Sequence, residues 1–415
     1  MIRIGIVGCG RILAAHLRGY RLLREAGVDD FRITALCARQ APDAWGYVQR
    51  DGEYPQRKAV SDIPGDPLGI SEEYLSDFQE VDDVEVYTDF RQMIAEGSID
   101  AVNDFTTHGL HHVVGAEAIR HGKHLLSQKP LAVTIRAARW MVEAADEAGI
   151  TFGVFENARQ RLLARHWRWA FNDGPLGRPQ MALLGNIGTW WAPNLIVAET
   201  PWRHKIVEGG GISLDLGVHQ FDMIRQVCGE VKSVTARTSV VEPKRFTLTT
   251  AGDVINEMDC DADDTFFASF ETENNVTGTL FGSWSGAATN TVLGNGPTFY
   301  GTKGRVSGAQ IHLKDAAEPQ SVSELYAEHA DDSLKRNDQP FGLENEFAIA
   351  QLDWIDSIRT GGQPETSGME GLIDLACAYA IVESAHAGRE VLVKDVLAER
   401  ISEYQAPINA HFGID

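Results

Sequence analysis

A chain of 415 residues is too long for one ordinary hydrophobic core and long enough for two, because domains cluster near about 100–200 residues. The hydrophobic fraction of 43% and the charged fraction of 23% are those of an average globular protein, which excludes a disordered or fibrous chain. The net charge of −22 repels phosphate backbones and anionic lipids, so neither nucleic acid nor a membrane surface is an expected partner.

The cysteines and the first residues bear on the compartment. Five scattered cysteines without a C-x-x-C pair argue against a disulfide framework or a structural zinc site. The chain runs from Met1 straight into a strand pattern rather than a signal peptide, and no apolar run approaches the roughly 18 residues of a membrane span. We therefore expect a cytoplasmic protein.

The first 155 residues alternate between strand and helix patterns. Apolar, β-branched runs predict strands at 2–7, 31–37, 101–105, 124–127 and 151–155. Helical periodicity follows Gly10 and returns at 113–121 and 135–148, with a helix end at 93–95. Alternation of this kind predicts an α/β fold with a doubly wound parallel sheet, a Rossmann domain over residues 1–155.

Residues 40–86 interrupt this alternation. They are rich in Asp, Gly, Pro and Tyr, include the run 63–67, and show little apolar periodicity. We interpret them as an insertion, with a short helix predicted at 71–78 and capped by Ser71.

The pattern changes after residue 155 and predicts a second, α+β domain over 156–393. Helices are predicted at 162–171, 212–227, 344–359 and 371–387, and strands at 231–237, 264–272, 276–284 and 298–300, with a hairpin at 273–275. These strands favour a mainly antiparallel, open-faced sheet. Because apolar side chains lie on both faces, as in 265–267 and 280–281, we expect a homodimer or homotetramer formed through the open face. Residues 394–415 are predicted to be a C-terminal tail.

The first turn has the residues of a dinucleotide site. Gly8 and Gly10 stand between a buried strand and a helix, where the backbone can approach a pyrophosphate at the helix N-terminus, although Leu13 replaces the third glycine of the usual fingerprint. The second strand ends in Ala38-Arg39 rather than in an acid. A small residue followed by arginine favours NADP over NAD, unless Arg39 is merely a solvated surface residue.

Two longer stretches carry a family resemblance. The first is Thr106-Thr107-His108-Gly109-Leu110-His111, followed later by Gln128-Lys129-Pro130, and the second is Gly209-Gly210-Gly211 continuing to Asp215, His219 and Asp222. The chain resembles the Gfo/Idh/MocA family of oxidoreductases over residues 1–393, apart from the insertion. Gln128 stands where the family motif has glutamate.

The resemblance implies a nicotinamide-dependent dehydrogenase acting on a sugar or cyclitol, and it implies three sets of site residues. The cofactor, NADP or NAD, is expected to contact Gly8, Gly10, Arg11, Ile12, Ala38, Arg39, Thr106, Thr107, His108, His111, Gln128 and Lys129. The substrate is expected to contact Asn157, Trp190, Trp191, Arg203, Asp215 and His219. The catalytic set is Lys129, Asp215 and His219.

The chemistry of alcohol oxidation agrees with these residues, because a base must take the hydroxyl proton as hydride leaves carbon. We expect His219 to be the base, with Lys129 hydrogen-bonded to the reacting oxygen and Asp215 to that oxygen or a neighbouring hydroxyl. The reverse assignment stays open, because an oxidised nicotinamide would depress the lysine pKa. On one continuous helix Asp215, His219 and Asp222 would line a cleft edge, and a structural Asp–His pair is the alternative. A metal site is not expected, because a third ligand is missing.

Three substrate-binding residues are assigned from weaker patterns than the motifs above. Trp190 and Trp191 either stack on a sugar ring or belong to the core, and Asn157 is expected at the mouth of the cleft.

Two alternative functions remain. One is an NAD-retaining glycosidase or lyase acting by transient oxidation, and the other is a non-catalytic ligand sensor on the same fold.

Overall fold

The chain divides into two compact units, each assembled from separate segments. A computed structural model describes residues 1–61, 67–249, 251–288, 291–292 and 296–414. The first unit comprises Met1–Val133, Ala137–Gln160 and Gln339–Leu372, and the second comprises Thr134–Arg136, Arg161–Asp338 and Ile373–Asp415. The division predicted at residues 155 and 393 stays a prediction.

The first unit is built on a six-stranded sheet in the order β3-β2-β1-β4-β5-β6, in which every pairing is parallel. Its central strands are buried on both faces, so β1 is apolar rather than alternating apart from Arg3, while β4 ends in the buried polar residues Asn103 and Asp104. The sheet confirms the predicted doubly wound fold. The strands are β1 (Ile2–Val7), β2 (Phe31–Cys37), β3 (Glu85–Tyr87), β4 (Ala101–Asp104), β5 (His124–Gln128) and β6 (Phe152–Phe155).

The helices of the first unit include one, α2, that was not predicted because it lies in the insertion, and one, α11, whose sequence was predicted as a helix of the second domain. They are α1 (Leu13–Glu25), α2 (Ala41–Trp45), α3 (Phe90–Glu96), α4 (His111–Arg120), α5 (Ile135–Ala148, its first two residues counted with the second unit) and α11 (Glu346–Thr360). Helix α11 packs on α1 so closely that a Cβ at Gly19 would lie 2.4 Å from the Gln351 side-chain oxygen.

The insertion at 40–86 is tied to α1 and to the first turn. Glu73 is buried and accepts hydrogen bonds from Arg18 and Arg21 of α1, and the Tyr47 hydroxyl donates to the carbonyl of Gly10 at 2.8 Å. The predicted helix at 71–78 is wrong in extent and cap. A single 3₁₀ turn, Leu75–Asp77, begins after Tyr74, because the Asp77 carboxylate accepts the Tyr74 N–H and closes the turn there. Residues 63–66 of the 63–67 run lie outside the described residues.

The second unit contains a ten-stranded, mostly antiparallel sheet in the order β17-β16-β15-β14-β7-β12-β11-β8-β18, with β13 paired to β7. Within this sheet, as far as the structure describes it, only β12 and β7 pair in parallel. A separate hairpin pairs β9 with β10. The strands are β7 (Pro179–Ile187), β8 (Val231–Ser239), β9 (Lys244–Leu248), β10 (Val254–Asp259), β11 (Thr265–Thr272), β12 (Thr277–Ser283), β13 (Thr291–Val292), β14 (Thr298–Gly301), β15 (Gly304–Ser307), β16 (Gln310–Leu313), β17 (Gln320–Ser321) and β18 (Val391–Leu392).

The large sheet has one covered face and one open face. Phe266 and Leu280 are fully buried on the side of the helices, whereas Phe267 is 53% exposed and stacks on Phe281 with ring centroids 5.7 Å apart. Both faces therefore carry apolar side chains, as expected from the sequence.

The helices of the second unit are α6 (Leu162–Asn172), α7 (Ile212–Asp215), α8 (Gly217–Cys228), α9 (Val322–His329), α10 (Asp332–Asp338), α12 (Gly368–Ala387, counted with the first unit up to Leu372), α13 (Val393–Leu397) and α14 (Ala406–Phe412). The last two show that the predicted tail is partly helical, and Ile408 of α14 is fully buried. No helix among the described residues is long and apolar enough to cross a membrane.

The predicted helix 212–227 is wrong in one respect, because it breaks at Leu216 (φ −99°) into α7 and α8. The expectation that Asp222 lines a cleft edge is also wrong, since this residue is fully buried. Helix α8 packs against α6 on one side and against strands β7 and β8 on another, and Gly217 lies against Ala378 of α12. Its polar face is therefore enclosed beyond the first turn.

Candidate functional site

The glycine turn of the first unit is shaped for a phosphate group. Gly8 has φ +102°, and a Cβ there would lie 2.6 Å from the carbonyl carbon and oxygen of Phe105, so only glycine fits. A Cβ at Gly10 would meet nothing within 4 Å, which leaves open space beside the turn. The next residues start α1, whose N-terminus has no side-chain cap and no acid in its first turn. These features fit a pyrophosphate held by backbone N–H groups.

Arg11 and Ile12 occupy the segment between the turn and α1. Both are half-buried. The Arg11 guanidinium donates to the main-chain carbonyls of Lys58 and Ala59 in the insertion, so the insertion is fastened directly beside the glycine turn.

Ala38 and Arg39 follow β2 at the same edge of the sheet. Ala38 is buried, and its N–H donates to the carbonyl of Tyr87 at the end of β3. Arg39 is exposed, and no ion pair of its side chain occurs within the described part of the chain. The guanidinium is thus available to an anionic group of a ligand.

The loop after β4 is fixed by Asp104. This carboxylate is fully buried and accepts both the N–H of Thr106 at 3.0 Å and its hydroxyl at 2.6 Å. Thr107 is exposed. The loop therefore presents one threonine side chain to the surroundings and ties the other inward.

His108 and His111 are buried, at 2% and 1% exposure. Nε2 of His108 lies 2.7 Å from the carbonyl oxygen of Ala132, and Nδ1 of His111 lies 2.8 Å from that of Pro130. Contact of these two rings with a cofactor stays a prediction. What the structure brings together is the threonine loop and the segment that follows Lys129.

Gln128 ends β5 and contacts a buried histidine. Its side-chain nitrogen lies 2.8 Å from Nε2 of His16, which is stacked on Phe105 with ring centroids 3.6 Å apart. Burial lowers the pKa of His16 well below its usual value, so the ring is neutral and suits an amide neighbour. The Lys129 N–H donates to the Gln128 side-chain oxygen at 3.2 Å, and the Lys129 side chain is half-buried.

The three consecutive glycines of the second unit each meet a distinct requirement. Gly209 adopts φ +71° at the end of a 3₁₀ turn. A Cβ at Gly210 would lie 2.6 Å from the carbonyl oxygen of Arg203, and one at Gly211, where φ is +120°, would lie 2.3 Å from Oδ1 of Asp263. The chain can enter α7 by this route only with glycine at these positions.

The turn places Arg203 beside Asp215. Nε of Arg203 lies 3.2 Å from Oδ2 of Asp215, and its Nη1 donates to the Thr200 hydroxyl at 2.6 Å. The guanidinium also lies over the Trp202 ring, 4.4 Å from its centroid. The Asp215 carboxylate is therefore oriented by Arg203 at the end of α7, and His219 follows in the first turn of α8, half-buried.

Asp263 was not found by sequence reasoning, although it organises this region. Its Oδ2 accepts the N–H of Ser213 at 3.1 Å and the Ser213 hydroxyl at 2.6 Å, and its carbonyl accepts the N–H of Ile212. Asp263 thus caps α7 from the segment that precedes β11. Burial raises its pKa to about 6, and the hydrogen bonds from Ser213 oppose that rise. Only its place in the run Asp261–Asp264, just before a predicted strand, could have drawn attention to it.

The three residues assigned from weaker sequence patterns are divided between the two units. Asn157 is half-buried after β6 in the first unit. Trp190 and Trp191 of the second unit stack on each other, with ring centroids 5.0 Å apart and planes at 17°, and Trp190 is 41% exposed. A parallel, partly exposed indole pair is a suitable surface for the C–H face of a ring, and this role stays a prediction.

The described residues contain no group of three His, Cys, Asp or Glu side chains that could hold a metal ion. A parallel doubly wound sheet with an uncapped glycine turn at its first helix defines a dinucleotide-binding protein. Comparison with known proteins then identifies the family.

Two family models match the chain. One is described as an oxidoreductase family with an NAD-binding Rossmann fold and matches residues 68–156, and the other is described as the GFO/IDH/MocA C-terminal domain and matches residues 165–307. The chain therefore belongs to the Gfo/Idh/MocA family and is an oxidoreductase, which confirms the resemblance noted in the sequence.

Three similar proteins indicate the range of relatives. The 1,5-anhydro-D-fructose reductase of Ensifer adhaerens is 28% identical over 73% of this chain and 82% of its own length. The D-apiose dehydrogenase of Rhizobium rhizogenes is 24% identical over 93% and 96% of the two chains. A solved structure of levoglucosan dehydrogenase, in complex with NADH and L-sorbose, superposes with a TM-score of 0.73 at 20% identity and covers 95% of this chain and all of its own. This last likeness shows the fold.

Proposed function

We propose that this protein is a nicotinamide-dependent dehydrogenase that transfers a hydride between the cofactor and a secondary alcohol or ketone of a sugar, glycoside or cyclitol. The observation that carries the proposal is the turn at Gly8 and Gly10, open at the uncapped N-terminus of α1, in a member of an oxidoreductase family. The names of the relatives support the substrate class, since they include a D-xylose dehydrogenase and a myo-inositol 2-dehydrogenase.

The catalytic roles rest on the chemistry of three side chains. When bound, the nicotinamide supplies the hydride acceptor or donor. His219 removes the hydroxyl proton, Lys129 donates a hydrogen bond to the reacting oxygen, and Asp215 accepts one from that hydroxyl or its neighbour. The Arg203 ion pair supports this last role, because it orients the Asp215 carboxylate, and a carboxylate oxygen accepts hydrogen bonds. Lys129 as the base is the alternative to be decided by experiment.

NADP is proposed as the preferred cofactor. The support is the pairing of a buried small residue, Ala38, with the exposed cation of Arg39 at the end of β2, where an NAD-specific site has an acid. Thr106, Thr107, His108, His111, Gln128 and Lys129 complete the proposed cofactor residues. We further propose a homodimer or homotetramer through the open face of the large sheet, and a cytoplasmic location.

The experiment is a substrate panel. Purified protein is mixed with monosaccharides, glycosides and inositols in the presence of NADP or NAD, and reduced nicotinamide is followed by absorbance while products are identified by mass spectrometry. We expect net cofactor reduction with at least one polyol. Bond cleavage without net reduction would instead support an NAD-retaining glycosidase or lyase, and cofactor binding without any turnover would support a sensor.

The base is identified by pH–rate profiles of His219→Ala and Lys129→Ala with the best substrate. Each substitution should lower kcat by about 10²–10⁴-fold with little change in cofactor affinity. If His219 is the base, His219→Ala loses the rise of kcat near neutral pH, whereas Lys129→Ala keeps that rise at a lower level. A retained neutral limb in His219→Ala would transfer the role to Lys129.

A further inference from the structure

The two buried histidines of the threonine loop bond the same short segment of backbone. His108 lies in a 3₁₀ turn and His111 begins α4, three residues later. Their ring nitrogens meet the carbonyl oxygens of Ala132 and Pro130, at 2.7 and 2.8 Å. Each bond is made to a main-chain acceptor that any residue would supply. The histidines therefore fix the position of the backbone rather than recognise its side chains.

The partners determine which ring nitrogen carries the proton. A carbonyl oxygen only accepts, so the nitrogen facing it must be N–H. This requires a proton on Nε2 of His108 and on Nδ1 of His111, whose other nitrogen makes only a longer contact, 3.4 Å, with the carbonyl oxygen of Thr106. The two histidines thus hold the segment through opposite nitrogens, and that asymmetry makes the arrangement testable.

The segment so held begins immediately after Lys129. On its upstream side the Lys129 N–H is bonded to Gln128, whose side chain contacts the buried His16. Downstream, the next carbonyl belongs to Pro130. The backbone on both sides of Lys129 is therefore fixed by buried groups, while its own side chain is only half-buried.

The same histidines connect this segment to the glycine turn. The second ring nitrogen of His111 lies 3.4 Å from the carbonyl oxygen of Thr106, and Thr106 is tied to Asp104. The backbone of Phe105 and Thr106 is the wall against which Gly8 packs. A continuous set of contacts thus links the turn that suits a phosphate to the backbone that carries Lys129.

We propose that His111 and His108 are positioning residues for Lys129, which they hold in register with the glycine turn through the carbonyls of Pro130 and Ala132. The proposal rests on the role given to Lys129 in the proposed function. A buried imidazole is a costly way to fill space unless both its polarity and its geometry are used. Here each ring is used to fix one carbonyl, and a displacement of about 1 Å at a reacting group can cost roughly 100-fold in rate.

The test uses the two amides that imitate the two nitrogens. The amide nitrogen of asparagine is as many bonds from Cβ as Nδ1 of histidine, and that of glutamine as many as Nε2. At position 111 the asparagine variant should therefore have a kcat about 10- to 100-fold higher than the glutamine variant, and at position 108 the order of the two variants should be reversed. The cofactor Kd should differ by less than about threefold between the two variants at each position, because any contact of the ring with the cofactor is lost in both and the glycine turn is unchanged. His121→Asn, at the C-cap of the same helix and paired with Glu117, is the matched control and should have no effect.

A second measurement reads the same bonds without turnover. Hydrogen exchange followed by mass spectrometry should show faster exchange in peptides covering 124–133 for His111→Gln and His108→Asn, and wild-type exchange for His111→Asn and His108→Gln. Equal behaviour of the asparagine and glutamine variants at each position, in both measurements, would overturn the proposal. The crossed exchange pattern in a protein without dehydrogenase activity would refute the proposed function and leave the positioning of the backbone at Lys129 supported.

Discussion

Asp263 gives a prediction whose size follows from the structure. Its side chain is 6% exposed and caps α7, the helix that ends in Asp215. Burial raises its pKa from 3.8 to about 6, because the ionised form is desolvated. Between these two values the folded protein binds more protons at this site than the unfolded chain, so stability falls as pH rises. The difference of pKa corresponds to about 3 kcal/mol of unfolding free energy, lost between about pH 4 and pH 7.

The assay is urea unfolding of the wild type and Asp263→Asn at pH 4 and pH 7. The wild type should lose about 3 kcal/mol more than the variant over this interval, since asparagine does not titrate and other groups cancel in the double difference. Ser213→Ala is the matched control. It removes a hydrogen bond that favours the ionised form, so it should move the midpoint of the loss to higher pH. Equal pH dependence in the wild type and Asp263→Asn would refute the reasoning.

Three further predictions concern the cofactor turn, the cofactor preference and the open sheet. Gly8→Ala should abolish cofactor binding in a titration of nicotinamide fluorescence, because its Cβ would lie 2.6 Å from the Phe105 carbonyl. A Cβ at Gly10 would meet nothing within 4 Å, so Gly10→Ala should weaken binding only if the cofactor occupies that space. Arg39→Asp should reverse a preference for NADP over NAD, and an unchanged Kd for NADP would show that Arg39 is merely a surface residue. Phe267→Glu should dissociate the oligomer, because it places a charge on an apolar face where the Phe267 side chain is 53% exposed in one chain. Light scattering at micromolar concentration measures the mass, and a monomeric wild type would contradict the proposed assembly.

The fold was largely predictable because its strands are long and periodic. Five of the six strands of the parallel sheet, and β8, β11, β12 and β14 of the antiparallel one, follow from apolar runs and alternation. Strand β7 was missed although it is nine residues long and pairs with three other strands. Strand β3 was missed because it is three residues long and follows an insertion without periodicity. The return of Gln339–Leu372 to the first unit was also not predictable, since it depends on a close packing of α11 on Gly19 that leaves no mark in local sequence.

The site was predictable only where residue type and spacing suffice. Sequence motifs suffice to propose site roles for the glycines, Lys129, Asp215 and His219. Two kinds of feature could not be foreseen, because they depend on partners distant in the chain. Asp263 caps a helix 50 residues away, and the rings at 108 and 111 bond carbonyls about 20 residues downstream. The burial of Asp222 likewise depends on elements distant in the chain that pack against α8.

The central claim is that hydride passes directly between a polyol carbon and the nicotinamide. The most direct measurement uses the best substrate of the panel, carrying deuterium on the carbon that is oxidised, and mass spectrometry of the nicotinamide released into solution. We expect each reduced nicotinamide to carry one deuterium, and the amount of labelled nicotinamide to equal the amount of ketone formed. A product that forms while the released cofactor stays oxidised and unlabelled would contradict it.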